Sequence, residues 1–379
     1  MRHTRTVPIP DDARVTWFAP GRVNLIGEHT DYNEGLALPF ALERGCGADV
    51  RSIEEPALVM RSGQQDGEVR LDLAELRPGV ELEPADRWAS YVAGAVWAVG
   101  ADDLSGGIEI EVDADLPVGG GLSSSAALCV SVAGAVADLL GRPVSPAELA
   151  RLALVAESEF VGAPTGGMDQ LAVAFGRQGH AVLCDLRDTT AETVPLALEA
   201  EGLAVLVVDT GVAHDHVDGE YAERRRSCER AAERLGLTAL RDATEADVDR
   251  LDDPLLRRRA RHVVTEDDRV RATVGLLRDA RLREVGPLLT ASHASMRDDF
   301  EITVPAVDAA VEALLSAGAL GARMTGGGFG GCVLALIDRD RVEPAAEAAV
   351  SAVGAHGGEG SWFVARPGDG AHRIPAWPR

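Results

Sequence analysis

The stretch Pro117-Val118-Gly119-Gly120-Gly121-Leu122-Ser123-Ser124-Ser125-Ala126-Ala127 constrains this chain more than any other. It follows an alternating run over 107–114, where Ile108, Ile110 and Val112 share one side, the pattern of a half-buried strand. It leads into Leu128, Val130, Val132 and Ala133, the small and apolar residues of a buried helix. A glycine run lets the backbone turn sharply and approach a ligand without side chains in the way. A helix that starts directly after it points unpaired N–H groups and its positive end into the turn. Strand, glycine turn and helix together make an anion site suited to a triphosphate. The serine hydroxyls add donors, and one can ligate Mg²⁺. The same residues also fit a plain Gly/Ser turn capping a helix.

The stretch is not a P-loop, because no lysine precedes its serines. The chain contains no lysine at all, so its 37 basic residues are all arginine. That excludes a Walker lysine, the strand lysine of protein kinases and a Schiff-base lysine. Phosphate handling here falls to backbone amides, hydroxyls, arginine and a metal ion.

At 379 residues two domains are expected, and 46% hydrophobic residues suffice for their cores. A net charge of −24 argues against a nucleic-acid or anionic-membrane partner. Cys46, Cys129, Cys184, Cys228 and Cys332 are scattered, odd in number and without a CxxC pair, which fits a reducing cytoplasm. The first residues carry no apolar leader, and no apolar run is long enough to cross a bilayer.

Val15 begins a strand that breaks at Pro20-Gly21 and runs into Arg22-Val23-Asn24-Leu25-Ile26-Gly27-Glu28-His29-Thr30-Asp31-Tyr32-Asn33. Such a cluster holds donors and acceptors for several hydroxyls, as a sugar site needs, and it discriminates epimers because a wrong hydroxyl leaves buried groups unpaired. A polar loop that caps neighbouring elements has the same composition. Strands are expected over 36–52 and 57–60, and an amphipathic helix over 87–96, with Trp88 and Tyr91 either in the core or against a nucleotide base. Ser145-Pro146-Ala147-Glu148 predicts a capping box at a helix start. Glu157 near the end of that helix is either solvated or a metal ligand. In Gly162-Ala163-Pro164-Thr165-Gly166-Gly167-Met168-Asp169-Gln170, small residues leave Asp169 open to a hydroxyl awaiting deprotonation, unless Asp169 is a helix N-cap.

The chain changes character near 185, which predicts an N-terminal domain over 1–185 and a C-terminal one over 186–379. His214 and His216 form a lone HxH in a polar loop. Arg224, Arg225 and Arg226 read as a solvated helix face, and 241–285 as a charged helical stretch without evident chemistry. Arg323-Met324-Thr325-Gly326-Gly327-Gly328-Phe329-Gly330-Gly331-Cys332 is a second glycine-rich turn, feeding a strand from Val333. Two such turns in one chain point to a ligand at a domain junction, or to a packing corner.

The three motifs, in this order, resemble the GHMP kinases, named for galactokinase, homoserine, mevalonate and phosphomevalonate kinases. Residues 21–33 resemble the galactokinase signature in particular. The segments 87–94, 166–170, 219–229 and 293–301 extend the likeness, which covers about residues 15–365. The resemblance implies an α/β (α+β) fold of two domains with the active site in the cleft between them. It implies ATP-dependent phosphorylation of the anomeric hydroxyl of galactose, in the cytoplasm, by a monomer that uses Mg²⁺. It assigns Asp169 and Arg22 to catalysis, and Glu28, His29, Asp31, Gly166 and Tyr221 to the sugar. It assigns Gly119, Gly120, Gly121, Leu122, Ser123, Ser124 and Ser125 to the phosphates, Trp88 to the nucleotide, and Ser125 with Glu157 to the metal. Arg22 is then expected to keep Asp169 ionised, since an adjacent cation lowers an Asp pKa by roughly 1–3 units. Thr165 and Gly167 depart from the Cys and Ile of many relatives, which leaves related sugar-1-kinases of arabinose, galacturonate or N-acetylgalactosamine as alternatives. A non-catalytic sugar and ATP sensor is disfavoured by the intact Ser123–Ala127 and Asp169.

Overall fold

A computed structural model describes residues 13–80, 82–100, 106–116, 121–163, 165–212 and 217–377. Strand β1 (Arg14–Asn24) pairs antiparallel with the long β3 (Pro39–Ile53), and their register shifts between Pro20 and Arg22. Proline has no N–H for the ladder, so the interruption falls where the sequence places it. The short β2 (Leu36–Ala37) lies between them in sequence, and β4 (Ala57–Ser62) and β5 (Val69–Asp72) follow. Helix α1 (Arg87–Val99) leads to β6 (Gly107–Ala114), which pairs antiparallel with β3 and parallel with β4.

Helix α2 (Ser124–Leu139) has no polar face, and it is buried almost all round against β1, β3 and α1. Gly134 on α2 is forced, since a Cβ there would stand 2.4 Å from the Trp17 ring. In α3 (Pro146–Val155), Ser145 accepts the Glu148 N–H at 3.2 Å. The other half of the expected capping box is missing, because the Glu148 carboxylate turns to Arg151 at 2.7 Å. A π-helical turn over 156–161 and the short α4 (Met168–Phe175) complete this layer.

Strands β7 (His180–Asp185) and β8 (Thr190–Pro195) form a hairpin that joins β2 in a three-stranded sheet. The change of character near 185 therefore falls inside a hairpin. The passage to the next sheet comes between Pro195 and β9 (Leu203–Asp209). Helices α5 (Val217–Leu235), α6 (Glu245–Val248), α7 (Pro254–Arg278), α8 (Gly286–Ser295) and α9 (Pro305–Ser316) follow. Then come β10 (Gly321–Thr325), β11 (Cys332–Asp338), α10 (Val342–Gly354) and β12 (Ser361–Ala365), and the second sheet has the order β10-β11-β9-β12. The chain ends by adding β13 (His372–Ile374) beside β1, in a six-stranded sheet β13-β1-β3-β6-β4-β5.

The second sheet is the wall between two cores. Leu203, Val205 and Val207 of β9 face the core shared with α2 and β3. Ala204, Leu206 and Val208 face the one built by α5, α7, α9 and α10. A strand buried on both faces reads as a continuous apolar run, as LAVLVV does. Among the described residues no helix is long and apolar enough to cross a membrane.

Candidate active site

The bend in β1 brings Arg22 beneath the start of α2. Its backbone N–H donates to Leu122 O at 3.0 Å, and its Nη1 donates to Gly121 O at 2.5 Å. Its Nε and Nη2 both lie 2.7 Å from Oδ1 of Asp169. The other oxygen, Oδ2, accepts from the Ser123 hydroxyl at 2.5 Å. Ser123 precedes α2 but does not cap it, because its hydroxyl is committed to Asp169. Asp169 does not cap α4 either. It sits in the first turn, behind the cap position held by Gly167 at φ +97°.

The polar loop after β1 supplies the opposite wall. Asp31 stands so close to Gly166 that a Cβ there would lie 2.3 Å from Asp31 Oδ2. Burial, with the charge of Asp169, pushes the Asp31 carboxyl up to about 6. Burial and then His262 press the His29 pKa down to about 3, so its imidazole is neutral at physiological pH. Its Nδ1 is 2.7 Å from the Tyr32 hydroxyl and its Nε2 is 3.1 Å from Gly327 O. Tyr221, on α5, lies with its ring centroid 5.2 Å from that of His29.

Glu157 is buried in the π-helical turn, which removes its reading as a solvated helix end. Burial pushes its carboxyl up to about 7 against a hydrogen bond from Gln170 (Nε2 to Oε1, 2.6 Å). Ser125 lines the same cavity wall as Glu157. The third motif closes the site from the second sheet. A Cβ on Gly121 would come within 3.8 Å of Gly326 Cα, so the two glycine turns abut. Three non-glycine residues with left-handed φ mark the three motifs, one in each: His29 (+60°), Ser123 (+58°) and Phe329 (+60°). Such conformations persist where the surroundings over-determine them, which is common at functional sites.

A cavity of about 270 Å³ gathers Arg22, Glu28, His29, Asp31, Ser125, Glu157, Asp169 and Tyr221 on its walls. From α1 it takes Tyr91, while Trp88 is half-buried and packs on the first core. Gly166 reaches the site through Asp31, and Gly121, Leu122 and Ser123 through Arg22 and Asp169. Ser124 is the exposed first residue of α2. Gly119, Gly120, His214 and His216 lie outside the described residues. A larger cavity of about 650 Å³ opens beside β12, but its rim charges are already paired, Arg339 with Glu199 at 3.0 Å and Arg366 with Glu43 at 3.9 Å.

The three elements that meet here correspond to three family profiles. "Galactokinase galactose-binding signature" matches residues 6–51, "GHMP kinases N terminal domain" 90–177, and "GHMP kinases C terminal" 273–356. The chain is 45% identical to a galactokinase of Streptomyces coelicolor over 94% of each chain. It is 47% identical to a galactokinase of Mycobacterium tuberculosis over 88% of this chain and 92% of that one. The chain belongs to the galactokinase family. Its fold matches the Lactococcus lactis galactokinase solved with galactose, with a TM-score of 0.88, 31% identity and 95% coverage of both chains. It matches the Methanococcus jannaschii mevalonate kinase in fold alone, with a TM-score of 0.68 at 16% identity.

This galactokinase-family chain also uses residues that its motifs do not announce. The charged stretch 241–285 is largely helical, as expected, and it buries Arg259, His262, Glu266 and Asp267 on α7. His262 Nε2 lies 3.1 Å from Glu28 O, Glu266 accepts the Gly27 N–H at 3.0 Å, and Asp267 accepts the Leu36 N–H at 2.8 Å. The helix therefore braces the sugar-signature loop from behind. Arg224 likewise departs from the expected solvated face. It is buried, and it donates to the carbonyls of Phe300 and Glu301, both at 2.8 Å. A helical end leaves carbonyls unpaired, and this guanidinium satisfies two of them.

Proposed function

We propose that the protein transfers the γ-phosphoryl group of ATP to the anomeric hydroxyl of α-D-galactose, giving α-D-galactose 1-phosphate and ADP. The observation that carries this is Asp169. It stands in a cavity walled by all three motifs, with one oxygen fixed by Arg22 and the other by Ser123. A carboxylate oxygen has more than one acceptor site, so Oδ2 can hold Ser123 and still accept the hydrogen of a sugar hydroxyl. The hydroxyl oxygen then attacks phosphorus, the bond to the ADP oxygen breaks, and the proton passes to Asp169. Phosphoryl transfer needs mainly positioning and charge neutralisation, and Arg22 supplies both beside the transferred group.

Glu28, Asp31 and Tyr221 are then the partners of the sugar hydroxyls, with the neutral His29 beside them and Gly166 leaving room for Asp31. The residues 119–125 and the amino end of α2 receive the phosphates, and Trp88 lies on the nucleotide side. Ser125 and Glu157 fit Mg²⁺. They are two hard oxygen donors, and both line the cavity beside Asp169. Among the described residues no cluster of three His, Cys, Asp or Glu side chains could hold a metal alone. Mg²⁺ commonly binds one or two protein oxygens together with phosphates. The ion would supply charge neutralisation on the triphosphate. A monomer in the cytoplasm belongs to the same reading, and the five buried free cysteines fit a reducing compartment.

The test is ADP release with Mg·ATP against galactose, glucose, galactosamine, N-acetylgalactosamine, arabinose and galacturonate, beside Asp169→Ala. Turnover on galactose that is lost in the variant is expected. Equal or better turnover on another sugar overturns the substrate, and no turnover on any sugar overturns the reaction.

A further inference from the structure

One oxygen of Glu28, Oε1, is surrounded by donors that all come from the third glycine motif. The Gly326 N–H lies at 2.8 Å, the Thr325 hydroxyl at 3.1 Å and Arg323 Nη2 at 3.6 Å. We infer that Thr325 and Arg323, with Glu266 behind them, are positioning residues that aim the Glu28 carboxylate at the sugar, so that the third glycine motif sets sugar affinity. The inference rests on the reading of Glu28 as a sugar contact.

Glu28 lines the cavity and is 3% exposed, whereas Arg323 is fully buried and reaches no part of the cavity wall. Arg323 thus has no direct access to a substrate. Its guanidinium is itself immobilised. Nη1 donates to Leu25 O at 2.9 Å, and Nη2 stands between Glu28 at 3.6 Å and Glu266 at 3.7 Å. Glu266 is fixed in turn, accepting from Ser292 Oγ at 2.7 Å, Arg269 Nε at 2.8 Å and the Gly27 N–H at 3.0 Å. The Thr325 hydroxyl has a single hydrogen, which lies between Glu28 and Asn24 O at 2.9 Å. The result is a cavity-lining carboxylate with one oxygen locked by the third glycine motif. The adjoining Gly327 carbonyl holds His29 in the same way. A glycine loop that grips two consecutive residues of the sugar signature acts on the sugar.

The test compares galactose with its 2-, 3-, 4- and 6-monodeoxy analogues, measuring KM and kcat in the wild type, Glu28→Gln, Thr325→Val, Thr325→Ser and Glu266→Gln. Thr325→Val keeps the shape and removes one donor to a charged group, and KM for galactose is expected to rise about tenfold. The kcat and the KM for ATP should stay within about twofold, since neither depends on Glu28 orientation. The penalty should vanish on the one deoxy analogue that Glu28→Gln no longer distinguishes from galactose. Thr325→Ser should behave as wild type. Glu266→Gln should show the same analogue-specific pattern, and it decides the matter if Thr325→Val does not fold. A rise of KM shared by all analogues and by ATP, or no rise in either variant, overturns the inference. If Glu28→Gln itself shows no analogue-specific loss, the reading of Glu28 as a sugar contact fails instead.

Discussion

Arg22 directs two nitrogens, Nε and Nη2, to the same oxygen of Asp169, each at 2.7 Å, and leaves Oδ2 to Ser123. The carboxylate is therefore oriented by its partners before a substrate arrives. Asp169→Asn keeps the shape, loses the proton acceptor and places an amide against the guanidinium. A positioned acid–base group contributes roughly 10²–10⁴-fold, so kcat should fall by about that factor. Galactose and ATP affinity measured by calorimetry should change by no more than a few-fold. A variant with kcat intact would remove Asp169 from the chemistry.

With Asp31 as a sugar contact, the affinity for galactose should depend on pH. Its folded pKa is raised to about 6, so the acid form accumulates as pH falls through 6. A protonated carboxyl has lost acceptor capacity for a sugar hydroxyl. KM for galactose should be flat above about pH 7 and rise by up to tenfold per pH unit below 6, since each unit is a tenfold change in the ionised fraction. Asp31→Asn should raise KM at pH 8 and abolish the slope. A slope that persists in Asp31→Asn assigns it to another group.

Gly166 tests the packing of the same residue. A methyl there would sit 2.3 Å from Asp31 Oδ2 and 2.7 Å from Asp31 Cβ, so the side chain must move as a whole. Overpacking costs typically 1–3 kcal/mol. Gly166→Ala should therefore raise KM for galactose by roughly 5- to 100-fold, as 1.4 kcal/mol is a factor of ten. The KM for ATP should hardly change. Equal effects on both substrates would mean that the segment 162–167 has been displaced as a unit.

What the sequence showed and what it hid follow from the range of the interactions. Arg22, Glu28, His29 and Asp31 are crowded into ten residues at the end of β1 and the loop after it, and Asp169 stands among glycines. Polar groups beside residues without side chains are visible locally. Glu266 was not, because a helix rich in Arg, Glu and Asp looks solvated until its faces are laid out. Arg259, His262, Glu266 and Thr273 then fall with Val263 and Val270 on one buried face at helical spacing. That periodicity was the available signal. β13 offered none. Three residues joining β1 from the far end of the chain depend on a partner that no local pattern names.

The metal reading can be checked apart from the sugar. Ser125→Ala and Glu157→Gln each remove one hard oxygen donor, while Arg22 and Asp169 keep their contacts. Loss of an inner or supporting ligand costs about 10–100-fold in metal affinity. The Mg²⁺ concentration for half-maximal rate at fixed ATP should rise by that order in both variants, with KM for galactose unchanged. A rise in galactose KM without a shift in Mg²⁺ requirement would move Glu157 to the sugar side.

Asp267 and Glu266 are neighbours on α7 with opposite effects of pH on stability. Arg323 and Arg269 outweigh burial and hold the Glu266 pKa at about 2, so its contribution is present above about 4.5 and is lost as pH falls toward 2. For Asp267 burial wins, and its folded pKa is raised to about 6. Its stabilising contribution is present below the unfolded value of 3.8 and is lost as pH rises through 6. At pH 8 its ionisation therefore opposes folding, by on the order of 2–3 kcal/mol. Asp267→Asn retains a carbonyl oxygen for the Leu36 N–H and gives up a 3.7 Å pair with the half-exposed Arg271 and the more distant charge of Arg241. Such a pair is worth roughly 0–1 kcal/mol. The variant should melt a few degrees higher than the wild type at pH 8 and at the same temperature near pH 4. A difference in melting temperature that does not change between those two values would show that Asp267 ionises without cost, and that the Leu36 hydrogen bond, not burial, governs the site.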